Sequence, residues 1–235
     1  MITACGLQRS YRSGTERVRA LDGVDLQAAR GAFVVLAGRS GSGKTTLLNM
    51  LGALDRPDAG TLTVAGYDLT AMDRAARARF RLHHLGFVFQ SYNLIQALSA
   101  RENVAYVLQL QGKTRRARRK AADYWLAEVG LAGMEERRPE EMSGGQQQRV
   151  AVARALAADP DLVLADEPTA NLDSHTGADL IALMQRLNRE RGTTFVIASH
   201  DPEVIARAGV LITMQDGRIV EEAQPAEGTT SSAVE

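Results

Sequence analysis

The sequence predicts an α/β fold built on a mainly parallel sheet, and three observations lead there. Short apolar runs are bounded by turn residues, helical stretches alternate with them, and 235 residues suffice to bury them. A chain of this size removes roughly 70% of its unfolded surface from water, so a core needs no staples. The first run, Ala32–Ala37 (AFVVLA), is nearly unbroken, as expected of a strand covered on both faces. Leu162–Ala165 (LVLA) and Thr194–Ala198 (TFVIA) repeat the pattern. Leu62–Val64 and Val210–Met214 each run toward glycine and read as further strands or edge hairpins, the expected antiparallel edge. Helical stretches are predicted at Thr45–Leu51, Arg101–Leu110, Arg115–Val129, Gln146–Ala158 and Thr176–Arg191. Such alternation argues for parallel strands joined by helices.

Between Gln90 and about Glu141 the strand signal vanishes. Ser99-x-x-Glu102 has the spacing of a capping box and starts one of several helices there. This block is expected to form an inserted helical lobe, about 91–141, within a single domain 1–222 whose core comprises 1–90 and 142–222. From Glu222 the sequence EAQPAEGTTSSAVE is small and polar, which predicts a poorly ordered tail over 223–235.

Composition narrows the function. With 45% hydrophobic and 24% charged residues, the chain is neither disordered, collagenous nor a small disulfide scaffold. Twenty-eight basic residues balance 28 acidic ones, so no long-range field steers nucleic acid toward it, and no nucleic-acid partner is expected. The single cysteine, Cys5, suits a reducing compartment. No apolar run approaches the roughly 18 residues that span a bilayer, and MITACGLQRSYRSG lacks a secretory apolar core. A cytoplasmic chain without direct membrane insertion is expected.

Gly38–Thr45 (GRSGSGKT) matches G-x-x-x-x-G-K-[ST] between a predicted strand and a predicted helix. Gly38, Gly41 and Gly43 let successive backbone N–H groups turn inward around an anion, and the helix adds its positive end. Lys44 reaches the β- and γ-phosphates of a nucleotide, and the Thr45 hydroxyl suits Mg²⁺. Ser40, Ser42 and Thr46 complete the expected nucleotide contacts. Leu162–Glu167 (LVLADE) is an apolar strand ending in two acids that point differently. Asp166 suits the Mg²⁺ shell, and Glu167 is placed to orient or deprotonate an attacking water. Met142–Arg149 (MSGGQQQR) opens a helix with a Ser-Gly-Gly turn, another potential anion site.

At this point the chain resembles the ATP-binding-cassette (ABC) transporter ATPases, whose signature is LSGGQ. Met142 stands for the leucine, a volume-conserving exchange. The resemblance covers Thr3 to about Glu222 and implies a P-loop NTPase fold that takes ATP and Mg²⁺. It implies that Gln90, in Gly86–Gln90 (GFVFQ), contacts Mg²⁺ and the water, and that His200 is the switch histidine on the γ-phosphate. It implies that Asp173, in Asn171-Leu172-Asp173, runs along a dimer interface, and that Tyr11 stacks on adenine. In an ATP-bound homodimer, Ser143, Gly144, Gly145 and Gln146 would close over the partner's nucleotide. Tyr92–Ile95 (YNLI), Leu54-Asp55-x-Pro57 and Asp166–Asp173 (DEPTANLD) look like the macrolide-exporter and lipoprotein-release ATPases. That group implies a separate FtsX-like permease docking near Gln90–Ile95 and a location on the inner face of the cell membrane. The amino-acid importer ATPases share much of this wording and are the alternative. Against a soluble non-transport ABC ATPase stand the single cassette, the lack of a Cys cluster and the balanced charge. The basic run Lys113–Lys120 reads as a solvated helix face or a lipid contact.

Overall fold

The computed structural model describes residues 1–14 and 16–223. Strands β1 (Ile2–Ser13), β2 (Glu16–Ala28), β4 (Ala59–Val64) and β5 (Tyr67–Asp68) form an antiparallel sheet in the order β2-β1-β4-β5. A six-stranded sheet runs β10-β9-β3-β8-β7-β6, from β3 (Phe33–Ala37), β6 (Leu85–Phe89), β7 (Leu162–Asp166), β8 (Thr194–Ala198), β9 (Val210–Gln215) and β10 (Arg218–Ala223). Its strands pair in parallel except β10, which turns back antiparallel on β9.

The parallel strands are buried on both faces, and their side chains divide by the strand period of two. Val34, Leu36, Leu162, Leu164 and Val196 join one core, with α1 (Lys44–Leu51) and the antiparallel sheet. Val35, Val163, Ala165, Phe195 and Ile197 join the other, with α5 (Gly144–Ala157) and α6 (Ser174–Arg191). This explains why the predicted core strands read as unbroken apolar runs.

Between β6 and β7 the chain is helical, as expected: α3 (Ala100–Leu110), α4 (Arg115–Glu128), a 3₁₀ turn at Pro139–Glu141, and α5. Helices α3 and α4 pack on each other and on α5, and α5 packs in turn against β6. The predicted capping box is present: Glu102 N–H donates to Ser99 Oγ at 3.3 Å, and Ser99 N–H donates to Glu102 Oε2 at 2.9 Å. Two short elements complete the order, α2 (Arg74–His84) and α7 (Pro202–Ile205). No helix among the described residues is long and apolar enough to cross a membrane.

One residue of the expected tail, Ala223, belongs to a strand. β10 continues through Glu222 and Ala223, while 224–235 lie outside the described residues. Glu222 pairs with Ile212 and Ala223 with Leu211, so backbone pairing carries a strand that the polar side chains conceal.

Residue Gly86 allows β6 to approach α5: a Cβ there would lie 2.6 Å from the Ala155 carbonyl oxygen. Backbone cannot yield as a side chain end does, so Gly86→Ala must separate strand and helix. Overpacking of this kind typically costs about 1–3 kcal/mol, which should lower the melting temperature by roughly 5 °C. An unchanged melting curve would show that the β6–α5 spacing is not tight.

Candidate active site

Four parallel strands end side by side, and the loops beyond their carboxyl ends enclose a cavity of about 710 Å³. Open α/β sheets bind ligands at this edge. Residues 39–46 form its floor, Gln90 follows β6, Asp166 ends β7 with Glu167 just beyond it, and His200 lies beyond β8. Arg19 and neighbours on β2 complete the rim.

The phosphate loop is shaped by backbone that only glycine tolerates. Gly43 has φ +106°, and a Cβ would stand 2.6 Å from the Ala20 carbonyl oxygen. Gly38 has φ +148°, with the Met214 carbonyl oxygen 2.4 Å from the Cβ position. Because Gly43 is the N-cap, no side chain caps the first turn of α1, whose N–H groups keep their anion-binding capacity. Lys44 is buried, and its Nζ donates to the carbonyls of Gly38 (2.6 Å) and Arg39 (3.1 Å). Among the described residues the buried Ser42 hydroxyl has no hydrogen-bond partner, an orphan that a phosphate oxygen would satisfy.

The Thr45 hydroxyl lies 3.4 Å from Asp166 Oδ1 and donates toward it. Burial holds the Asp166 carboxyl above the ordinary range and adjacent Glu167 adds to this, while Thr45 and Lys44 pull the other way. Glu167 adopts φ +47°, a left-handed conformation that costs a non-glycine residue about 1–3 kcal/mol. The Ala198 carbonyl pins it by accepting its N–H at 2.9 Å. Its carboxylate lies 2.9 Å from His200 Nδ1 and accepts from buried Ser199 Oγ at 3.4 Å.

The structure thus brings Ser40, Gly41, Ser42, Gly43, Lys44, Thr45, Thr46, Gln90, Asp166, Glu167 and His200 around one cavity, with Gly38 at the loop's origin. Ser143, Gly144, Gly145, Gln146 and Asp173 do not line it; they form a second cluster. Ser143 caps α5, accepting from Gln146 N–H at 3.3 Å. Asp173 caps α6, accepting from Thr176 N–H at 2.9 Å and from its hydroxyl at 2.7 Å. The two caps meet. A Cβ on Gly145 would stand 2.5 Å from Thr176 Cγ2, and one on Gly144 2.7 Å from the Tyr92 hydroxyl.

Tyr11 also stands outside the cavity lining. It is 38% exposed, Arg9 covers its ring at 4.9 Å, and its hydroxyl donates to Asp55 at 2.8 Å. Burial and the Asp55 hydrogen bond raise its phenol above the usual value, and Thr46 of α1 lies beside it. Sequence reasoning missed Ser199, beside His200, and Gln148, inside the quoted MSGGQQQR run, both buried polar residues that hydrogen-bond to groups distant in sequence.

The ABC transporter family model matches residues 21–170. The lipoprotein-releasing system ATP-binding protein LolD of Chromohalobacter salexigens is 46% identical over 223 residues, covering 95% of this chain and 94% of that protein. The macrolide export ATP-binding/permease protein MacB of Salmonella typhimurium is 44% identical over 94% of this chain, which corresponds to 34% of that protein. Among solved structures, the ATP-binding cassette MJ0796, in a dimeric post-hydrolysis state bound to ADP and Pi, superposes with a TM-score of 0.88. It is 38% identical and covers 95% of this chain and 98% of that one. The matched span holds the phosphate loop, Gln90, the Ser143 turn and the acidic end of β7, and the chain belongs to the ABC transporter family.

Proposed function

We propose that this chain is the ATP-binding and hydrolysing subunit of an ABC transporter, that two copies close around two ATP, and that the cycle drives a separate FtsX/MacB-type permease. One observation carries the reading: the attacking groups surround the phosphate-loop cavity, while Ser143–Gln146 form a second anion-suited turn outside it. A second copy would bring that turn over the γ-phosphate, as suits a cassette whose solved relative is described as dimeric. LolD and MacB, by name, belong to lipoprotein release and macrolide export, so the work is export, lipoprotein release or force transmission rather than import. The helical lobe, about 91–141, would carry the second turn toward or away from the partner. The permease would dock near Gln90–Ile95, beside the groove lined by Leu54, Phe87, Phe89 and Val107, and hold the chain at the cytoplasmic face of the membrane.

In the reaction, the loop amides and Lys44 hold the β- and γ-phosphates. Glu167 accepts a proton from water as its oxygen attacks the γ-phosphorus and the bond to the β-phosphate oxygen breaks. His200, through the carboxylate contact, keeps Glu167 aimed and offers its other ring nitrogen to the γ-phosphate. Tyr11 remains the candidate aromatic neighbour of adenine. The oxygen donors Thr45 Oγ1, Asp166 and Gln90 fit Mg²⁺, which takes one or two carboxylate or hydroxyl ligands and completes its shell with phosphate and water. The ion would supply charge neutralisation of the phosphates there.

The substitution Lys44→Ala should lose measurable ATP binding in calorimetry, since the main point charge facing the phosphates is gone. Near-normal affinity would refute the phosphate-loop assignment. Chelating Mg²⁺, or Asp166→Asn, should leave ATP bound but slow turnover by about 100-fold or more. Turnover indifferent to the chelator would remove the metal from the site. Glu167→Gln keeps the shape but accepts no proton, a loss of about 10²–10⁴-fold in rate. The variant should persist as an ATP-bound dimer in light scattering, and Ser143→Arg in the same background should return it to monomer. A dimer that forms equally with ADP would contradict the shared-nucleotide reading.

A further inference from the structure

Gln148 lies in the second turn of α5, fully buried in a helix that otherwise packs aliphatic side chains. Its Nε2 donates to the Pro168 carbonyl at 2.8 Å and to the Phe89 carbonyl at 3.3 Å. Oε1 is buried with no partner among the described residues, an arrangement that costs about 1–3 kcal/mol. A leucine or methionine would avoid that cost but would give the Pro168 and Phe89 carbonyls no donor, so apolar packing alone does not account for the amide. Its two anchors do: Phe89 immediately precedes Gln90, and Pro168 immediately follows Glu167.

The same helix holds the Gln90 loop a second time. Arg154 donates to the carbonyls of Tyr92 and Asn93, both in left-handed conformations. Asn171 adds a hydrogen bond to the Gln90 carbonyl at 2.9 Å. Helix α5 begins at the Ser143 turn, so whatever shifts that turn moves a rigid rod that grips both attack-site segments. A rigid helix carries displacement along its axis with little loss, at about 1.5 Å of rise per residue.

We propose that Gln148 is a positioning residue that couples engagement of Ser143–Gly145 with the partner's ATP to the placement of Gln90 and Glu167 on this chain's own ATP. The inference rests on the two-ATP dimer reading above. It makes each site's hydrolysis depend on the nucleotide in the other, a coupling between two distinct sites. The glutamine amide carries two N–H donors on one nitrogen and no charge, so it holds both carbonyls without burying an ammonium or guanidinium.

Gln148→Met keeps length and apolar volume but removes both donors. Gln148→Glu keeps the shape and sets an acceptor against two carbonyls. Both should bind ATP within about twofold of the native chain, with kcat lowered roughly tenfold or more. The Hill coefficient for ATP should fall to about one, the value for uncoupled sites. In the Glu167→Gln background, both should still dimerise with ATP. On acidification, Gln148→Glu should regain rate relative to the native enzyme, because a protonated carboxyl donates one of the lost bonds; Gln148→Met should not. Native-like kcat and cooperativity in Gln148→Met would overturn the inference. So would a parallel loss of ATP affinity, melting temperature and rate in both variants, which is the signature of a purely structural glutamine. If Glu167→Gln with native Gln148 never dimerises on ATP, the dimer reading itself fails.

Discussion

Phe89, Asp166, Ala198 and Leu36 form one row across four parallel strands, each paired with the next in the ladder. The register of that row decides where Gln90, Asp166, Glu167 and the phosphate loop stand relative to one another. A slip of one residue would turn Asp166 to the opposite face and carry its carboxylate away from Thr45. The register is protected by burial on both faces: a slipped β7 would exchange Leu162 and Leu164 with Val163 and Ala165 between two differently shaped cores. The site is therefore as rigid as the sheet. Its loops need only short reach from fixed points, which suits a reaction that depends on positioning and charge.

Two local costs are imposed on this frame where the chemistry sits. Glu167 is held in a left-handed conformation by the Ala198 carbonyl, and Asp166 keeps its carboxyl in a buried position that opposes ionisation. Strain and a perturbed carboxyl at one strand end mark a functional site. The second cluster pays in a different form, through glycines where Tyr92 and Thr176 leave no room for a side chain. Those contacts tie the Ser143 turn to the loop after β6 and to the start of α6. The two clusters are thus separate in space but joined through the backbone of α5 and its polar grips.

Much of this was legible in the sequence because it is written in local terms. The apolar runs of β3, β7 and β8 and the G-x-x-x-x-G-K-[ST] spacing are short-range signals. Strands β1 and β2 were not legible: their register shifts at Ala4/Leu7, Leu7/Gln8 and Arg9/Ser10 break the alternation that reveals a strand. Helix α2 was missed because Phe80 is its one buried residue and arginines and histidines dominate RAARARFRLHH, which leaves little apolar signal. Leu85–Phe89 is an edge strand whose apolar run merges with the phosphate-site glutamine that follows. Gln148 is invisible for another reason. Its partners are 59 and 20 residues away, and burial of an amide inside QQQR cannot be read from composition.

The central claim is that one ATP lies between the phosphate loop of one chain and the Ser143 turn of another. The most direct measurement is an inter-chain disulfide between Ser40→Cys on one copy and Ser143→Cys on the second, in a Cys5→Ser background, with Glu167→Gln to hold ATP. The account predicts a cross-linked dimer that appears with ATP and is absent with ADP or without nucleotide. Cross-linking that ignores the nucleotide, or its absence under ATP while the chains remain folded, would contradict it.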